Sequence, residues 1–353
     1  MPDSFAQFQS SASQNTALGH MAELKNYKVF AATGADAATF LHGQLTNDVT
    51  ALGSGDARYA GYCTARGRLL ATLVVWRAAA HAAEPESTTN TQDTASAIFG
   101  IMRRSLFDAV IKRLSMFVLR AKVKFATPDI NVAGVWAQAN ALDALSAAAG
   151  GALPSTPWQR VDLASGTWIA SPHPGATLRW WWIATAEQRA AAGTILASVL
   201  EKADEAQWQA GELAEGLPWI DASTQDLFIP QTVNLDLIDG VNFTKGCYPG
   251  QEIVARSHYL GTVKRRMAFG TIALADASKD AATLPGTDIY QSSRADEPCG
   301  RIIDAACVQA ASNGGEISIL FETTLSAMAA ADLRLGAADG PSITLHALPY
   351  ALA

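Results

Sequence analysis

The spacing of apolar residues changes near Met267, and this change limits the folds open to the chain. Before it, strand-like runs alternate with amphipathic helical segments, whereas after it short apolar runs are separated by turn residues. The first pattern indicates α+β layers, and the second is typical of a small all-β barrel or sandwich. We therefore predict an α+β region over residues 21–262 and a β-domain over 263–353. Residues 1–20 are rich in Ser, Gln and Ala and are expected to be disordered.

Composition and charge exclude several classes of function. The chain has 353 residues and a net charge of −7, so stable nucleic-acid binding, which usually needs a basic domain, is not expected. No apolar run has the length of a membrane span, and the first residues lack the basic and apolar stretches of a secretory signal. These features predict a cytoplasmic protein. The cysteines and histidines are scattered without metal-ligand spacing, so no metal site is expected.

Two segments of the α+β region have clear patterns. Residues 58–77 read as a hairpin, and residues 103–119 read as a helix with apolar positions at helical spacing. The polar loop between them, residues 81–96, has no periodicity. Seven basic residues against Asp108 alone mark the helix and the residues after it: Arg103, Arg104, Lys112, Arg113, Arg120, Lys122 and Lys124. This set is either a solvated face or an anion site for a phosphate or a polycarboxylate tail.

The strongest chemical candidate is Cys247, within the run F-T-K-G-C-Y-P-G-Q-E-I-V-A-R at residues 243–256, here called the Cys247 stretch. Glycines at 246 and 250 permit tight turns and close approaches, and Pro249 suits a turn before a helix. A following helix and the nearby Lys245 would both favour a thiolate. A cysteine in this setting is better placed for exposed reactivity than for core packing.

The other candidates in the sequence are weaker. Cys63 lies in a strand-like run, and Cys299 and Cys307 lie in the predicted β-domain, which indicates structural thiols. His258 follows the Cys247 stretch and is either a base or, with no partner acid visible, a surface histidine. The sequence contains no nucleophile elbow, no Walker-type loop and no dinucleotide fingerprint.

The Cys247 stretch also carries a family resemblance, together with four further runs. These runs are F-L-H-G-Q-L-T-N-D-V (40–49), Y-C-T-A-R-G-R-L-L (62–70), R-R-S-L (103–106) and F-I-P-Q-T-V-N-L-D (228–236). Over roughly residues 20–350 the chain resembles the YgfZ-type folate-binding proteins, relatives of the aminomethyltransferase of the glycine cleavage system. The resemblance implies an α+β, aminomethyltransferase-like three-domain ring of two interwoven α+β domains and a C-terminal β-barrel. It also implies tetrahydrofolate or a derivative as cofactor, and support for the assembly or repair of iron–sulfur enzymes, including one that modifies tRNA.

The resemblance further implies which residues act. Cys247 matches the family's motif cysteine and is the expected reactive thiol. Trp208 matches a tryptophan implicated in folate binding, and Tyr27 stands where some members have a second one. We add Arg256 as a cofactor-binding residue, and we infer that the basic helix suits the glutamate tail of folate. The expected partners are folate and iron–sulfur client enzymes or assembly proteins.

Two departures separate the chain from the aminomethyltransferases. Those enzymes carry an Asp-Asp pair that includes a catalytic acid, and the matching positions here are Ala71 and Thr72. They also hold the pterin with the glutamate of an E-A-G motif, whereas this chain reads A-E-G, with Glu215 shifted by one residue. A folate-dependent aminomethyltransferase or demethylase is therefore the disfavoured alternative. A non-catalytic folate-binding module is a third.

Overall fold

The computed structural model of the protein describes residues 17–78, 97–172, 175–259, 261, 263–274, 281–311 and 314–352. The loop predicted at 81–96 lies outside the described residues, as do residues 1–16. Gly19 and His20, which we expected to be disordered, instead lie in the first strand. The division into domains at 21–262 and 263–353 stays a prediction.

The described strands follow in chain order. They are β1 (Gly19–Glu23), β2 (Tyr27–Thr33), β3 (Ala57–Cys63), β4 (Leu69–Arg77), β5 (Ile98–Arg103), β6 (Lys124–Ala126), β7 (Ile130–Gln138), β8 (Arg160–Leu163), β9 (Gly166–Ala170), β10 (Thr177–Thr185), β11 (Leu200–Lys202), β12 (Arg265–Leu274), β13 (Asp288–Gln291), β14 (Gly300–Ala311), β15 (Gly314–Thr324), β16 (Leu333–Leu335) and β17 (Thr344–His346). The α-helices are α1 (Ala37–His42), α2 (Arg104–Met116), α3 (Leu142–Ala149), α4 (Ala186–Val199), α5 (Glu205–Ala214), α6 (Gln251–Tyr259) and α7 (Leu325–Ala330). Short 3₁₀ turns occupy Ala139–Ala141, Pro230–Val233 and Ala281–Thr283.

Three sheets organise these strands, and the first two are interleaved along the chain. The strand orders are β11-β1-β7-β10-β9-β8 in the first sheet and β3-β4-β5-β2-β6 in the second. Strand β1 pairs in parallel with β11 and antiparallel with β7, so the first sheet joins segments that are distant in sequence. The second sheet draws its strands from between them, which gives the interwoven arrangement.

The third sheet forms the C-terminal part of the fold. Its order is β16-β13-β14-β15-β12-β17, with antiparallel pairing throughout. Among the described residues a single isolated bridge, from Arg334 to Ser342, connects β16 to the segment just before β17. The predicted β-barrel is therefore a curled sheet with little pairing between its two edges. No described helix is both long enough and apolar enough to cross a membrane.

The tryptophans of β10 show how alternation builds two cores on one strand. Trp180 and Trp182, predicted to be core residues, are 0% and 2% exposed and pack into the core beneath α3 and α4. Trp181 points to the opposite face, because successive strand residues alternate sides, and joins the main core. This alternation makes all three aromatic rings buried.

Two helix ends show where local sequence preference stops. The helical pattern that begins at Ala186 predicts a helix to residue 202, but α4 ends at Val199, because Leu200–Lys202 extend alongside β1. Asp36 stands at the N-cap of α1, as its residue type predicts, but its carboxylate makes no capping bond and accepts a hydrogen bond from the Lys122 backbone N–H at 2.7 Å. In both cases a long-range partner outweighs a local preference.

Candidate functional site

The Cys247 stretch is held against the hairpin of β3 and β4. Gly250 has φ +82°, and a Cβ there would lie 2.4 Å from the Thr64 carbonyl oxygen, so glycine is required for this contact. Tyr248 is buried, whereas Cys247 itself is exposed and lies four residues before the first residue of α6. The structure therefore fixes the backbone on both sides of the thiol and leaves the thiol open to solvent.

Lys245 is a buried cation at the end of α1. Its Nζ donates to the carbonyl oxygens of His42 and Leu45, the second at 3.0 Å, where a helix C-terminus favours positive charge. Burial lowers the pKa of Lys245 to about 8, although the charges of Asp48 and Cys247 act in the opposite direction. Lys245 thus anchors the stretch and places positive charge within electrostatic reach of Cys247.

A cavity of about 600 Å³, here called the Trp158 cavity, opens beside the start of this stretch. Its walls include aromatic, amide and charged side chains: Arg58, Tyr59, Trp158, Asp239, Asn242 and Phe243. Trp158 stacks on Tyr59, with ring centroids 5.7 Å apart and planes 12° apart. Such a mixture of flat apolar faces and converging polar groups is typical of ligand sites.

Two residues of the Trp158 cavity hold strained backbone. Trp158 has φ 67° and Asp239 has φ 56°, a region that non-glycine residues seldom adopt and that costs on the order of 1 kcal/mol or more each. The Asn47 side-chain amide donates to the carbonyl oxygens of Tyr59 (2.8 Å) and Asp239 (2.6 Å), which holds the two walls together. Two opposed parts of the cavity wall are therefore held in an uncommon backbone conformation.

A smaller cavity of about 210 Å³ shares Pro157 with the Trp158 cavity and reaches Glu215. The Glu215 carboxylate lies 3.0 Å from the Arg179 guanidinium, and both side chains are about 95% buried. Burial raises the pKa of Glu215 to about 8, and the Arg179 charge offsets only part of this effect. The glutamate of the A-E-G run therefore lies beside the cavity but is paired within the protein.

The two aromatic residues predicted to contact folate lie in the core. Tyr27 is 2% exposed and Trp208 is 0% exposed. The Tyr27 hydroxyl donates to Glu212, and its ring lies 4.9 Å from that of Trp219. The Trp208 ring is covered by Arg179, whose guanidinium carbon lies 4.0 Å from the ring centroid. Neither ring lines the Trp158 cavity or the smaller cavity beside it, and direct contact of these rings with folate stays a prediction.

The remaining predicted residues divide between surface and interior. Arg256 is exposed in the last turns of α6, on the same stretch as Cys247 but in a different part of the molecule from the buried pair. Most of the basic set around α2 is also exposed. Arg103 is the exception: its side chain is 3% exposed and pairs with Asp304 at 2.7 Å. It therefore belongs to the core and not to an anion-binding surface.

Thr72, one of the two positions matched to the Asp-Asp pair of the aminomethyltransferases, has a structural role. Ala71 and Thr72 are 0% and 1% exposed. The Thr72 hydroxyl accepts from the Ile220 N–H at 3.1 Å and approaches the Pro218 carbonyl oxygen at 3.3 Å. No acid stands at this position, and the hydroxyl instead fixes the segment that follows α5.

Replacing Thr72 by valine is expected to lower the free energy of unfolding by about 1–3 kcal/mol, because the buried Ile220 N–H loses its acceptor. Urea denaturation measures the change. Thr72→Ser keeps the hydroxyl and is expected to lose clearly less. A loss of stability in Thr72→Ser but not in Thr72→Val would show that the methyl group, and not the hydrogen bond, stabilises this position.

The site also contains residues that sequence reasoning missed. Trp158 and Asp239 line the cavity, yet they lie in irregular segments where no periodicity marks them. The one available signal was the tryptophan directly after the Pro154–Pro157 break. Among the described residues no group of three or more His, Cys, Asp or Glu side chains could hold a metal ion.

The fold matches that of a solved enzyme. The glycine cleavage system aminomethyltransferase T from Bartonella henselae superposes with a TM-score of 0.64, covering 94% of this chain and 86% of that one. The sequences are 14% identical, so this likeness concerns the fold alone. It confirms the predicted fold class: the chain is an α+β protein of the aminomethyltransferase-like class.

Sequence comparison identifies the family within that class. No family model matches the chain. It is 30% identical over 248 residues to the tRNA-modifying protein YgfZ of Sodalis glossinidius, and 32% identical over 248 residues to that of Klebsiella pneumoniae. Each alignment covers 69% of this chain and 69% of the relative. The chain belongs to the YgfZ family.

Proposed function

We propose that this protein binds tetrahydrofolate and supports the assembly or repair of iron–sulfur enzymes, and through them tRNA modification. Family membership is the observation that carries the proposal, since the relatives are named tRNA-modifying proteins. The ligand-like cavity beside the Cys247 stretch supports it. Cys247 is the working thiol in this proposal, because it is exposed on a backbone that Lys245 and Gly250 hold in place.

The Trp158 cavity fits the chemistry of a folate. Its volume of about 600 Å³ falls within the usual range for small-molecule sites. A pterin is flat and carries several N–H donors, which suits contact with the half-buried Trp158 ring and with the carboxylate of Asp239. Arg58 on the wall and the exposed Arg256 are the cations we assign to the carboxylates of the tail. When bound, tetrahydrofolate would supply a reduced pterin that carries one-carbon units.

The buried aromatic residues have an indirect part in this proposal. Trp158 stacks on Trp181 with ring centroids 5.8 Å apart, and Trp181 contacts Trp208 edge-on at 5.9 Å. Trp219 connects the same cluster to Tyr27. Tyr27 and Trp208 would therefore support the cavity wall from behind instead of contacting the ligand.

Replacing Trp158 by alanine is expected to weaken tetrahydrofolate binding by about tenfold or more, because an aromatic contact of roughly 1.4 kcal/mol or more is lost. Isothermal titration measures the affinity. Trp136→Ala is the matched control, since Trp136 is a half-buried tryptophan that lines a different cavity. Unchanged affinity in Trp158→Ala, or an equal loss in both variants, would remove the Trp158 cavity as the folate site.

The role in iron–sulfur enzymes is tested in cells. Deletion of the gene is expected to lower the activities of several cluster enzymes and the level of a modified tRNA nucleoside, measured by mass spectrometry. Wild type and Cys307→Ala should restore both, whereas Cys247→Ala should not. Full rescue by Cys247→Ala would contradict the thiol role and favour a folate-binding module without thiol chemistry.

The runner-up is a folate-dependent aminomethyltransferase or demethylase. The aminomethyltransferase-like fold favours it, but Ala71 and Thr72 provide no carboxylate at the position that those enzymes use. Turnover of tetrahydrofolate with an amine donor by the purified protein would favour this alternative over the accessory role.

A further inference from the structure

His42 lies directly against the Cys247 stretch and is oriented by a carboxylate. Its Nδ1 is 2.9 Å from Asp48 Oδ1, and Thr50 Oγ1 lies 3.3 Å from the same nitrogen. Asp48 is fixed in turn, because it also accepts from the Thr50 N–H (2.9 Å), the Thr50 hydroxyl (2.7 Å) and the Ala51 N–H (3.0 Å). With Nδ1–H directed at Asp48, the other nitrogen, Nε2, is the acceptor.

The free nitrogen faces the backbone next to Cys247. A Cβ built on Gly246 would lie 3.4 Å from His42 Nε2, so the imidazole covers this glycine. Standard bond lengths then place the Cys247 Cα within about 9 Å of Nε2. Lys245 also holds the Cys247 stretch close to His42, because its Nζ donates to the His42 carbonyl oxygen. The structure thus holds the backbone of the Cys247 stretch beside Nε2.

A carboxylate and two cations lie around His42, and the carboxylate would stabilise the imidazolium that a proton transfer forms. Burial acts to raise the pKa of Asp48, but its hydrogen bonds from Thr50, Ala51 and His42 lower it to about 2. Asp48 is thus a carboxylate at every working pH. Two cations face the pair: Lys245 at the His42 carbonyl oxygen and Arg58, which donates to the Asp48 carbonyl oxygen at 2.8 Å.

We propose that His42 is the base that activates Cys247, with Asp48 as its positioning residue. The S–H bond of Cys247 breaks, the proton binds to His42 Nε2, and the resulting thiolate and imidazolium carry opposite charges. No electron is gained or lost, and the reverse transfer restores the resting state. The arrangement follows the logic of a nucleophile, a base and an orienting acid. The inference rests on the proposed role of Cys247 as the working thiol.

A purely structural role for the same contacts makes a different prediction. Asp48 closes the turn at residues 48–51, so the His42–Asp48 contact could serve only to hold that turn. Loss of His42 would then lower stability without changing how the reactivity of Cys247 depends on pH. The pH profile of the thiol therefore separates the two roles.

The test is the rate at which iodoacetamide alkylates Cys247 in the full-length protein, followed by mass spectrometry of the peptide that contains it. Wild type, His42→Gln, Asp48→Asn and His258→Gln are compared from pH 5.5 to 9.5. At neutral pH we expect a rate at least about tenfold lower in His42→Gln and a smaller loss in Asp48→Asn. His258→Gln is the control, since its exposed ring stacks on Phe243, and it should keep the wild-type profile.

The outcomes are distinguishable from those of the proposed function, because alkylation needs neither folate nor a client enzyme. A wild-type pH profile in His42→Gln would overturn the assignment. If His42→Gln does not fold, as judged by thermal unfolding, the nearly isosteric Asp48→Asn decides: an unchanged profile overturns the proposal, and a shifted one supports it. If the protein did not bind folate, the alkylation result would still stand. If the alkylation test failed, the folate-binding proposal would still stand.

Discussion

Replacing Arg103 by alanine is expected to lower the free energy of unfolding by about 3–5 kcal/mol, because it leaves a buried carboxylate without its partner. Arg103 ends β5 and donates to Asp304 of β14 at 2.7 Å, and both side chains are at most 5% exposed. Its guanidinium carbon also lies 4.7 Å from the centroid of the Tyr27 ring. The pair therefore joins the second sheet to the curled C-terminal sheet.

The measurement is urea denaturation of the variant against two controls. Arg104→Ala changes the next residue, which is exposed, and should cost less than about 1 kcal/mol. The double variant Arg103→Met, Asp304→Leu removes both charges and should recover much of the loss, because the desolvation of the pair is removed as well. A double variant no more stable than Arg103→Ala would show that side-chain shape, and not the unpaired charge, causes the effect.

The second large expected effect is a loss of stability as pH rises, caused by Glu215. Burial raises its pKa from 4.5 to about 8, so the folded state keeps a proton that the unfolded chain releases. The contribution to stability is fully present below about pH 4.5 and is lost as pH rises through about 8. With about 1.4 kcal/mol for each unit between the two pKa values, we expect a loss of about 5 kcal/mol.

Glu215→Gln isolates this contribution, because glutamine does not titrate. Denaturation at several pH values between 4.5 and 8 should show wild type losing stability relative to the variant. The lowered pKa of Asp48 acts below about pH 4, outside this window. Parallel curves for wild type and Glu215→Gln would contradict the assignment of the pH dependence to Glu215.

The fold was largely predictable because its strands and helices have strong local patterns. The hairpin at 58–77, the helix after Arg103 and the buried tryptophans of β10 all follow from apolar spacing and alternation. The short strand β11 was not predictable, because its three residues read as the end of a helix until β1 is available as a partner. Pairing with a distant strand determines the conformation of such segments, and a single sequence does not show which strands pair.

A site residue could be predicted from the sequence only where its residue type is unusual for its sequence neighbours. Cys247 was found because a cysteine between glycines is a poor core residue. Tyr27 and Trp208 were expected at a ligand, but an aromatic side chain has the same signature whether it stacks on a ligand or on Arg103 and Arg179. His42 was missed because the contact with Gly246 joins residues that are far apart in sequence.

The interleaving of the first two sheets has a consequence for the nascent chain. Strand β1 cannot form hydrogen bonds along both of its edges until β7 and β11 have been synthesised. All strands of the second sheet are synthesised before β7 and β11. At a ribosomal rate of about 5–20 residues per second, the interval between β1 and β11 lasts about 10–40 s. During that time the open edge of β1 is available to other chains, so recruitment of a holdase during translation is expected to raise the yield of folded protein.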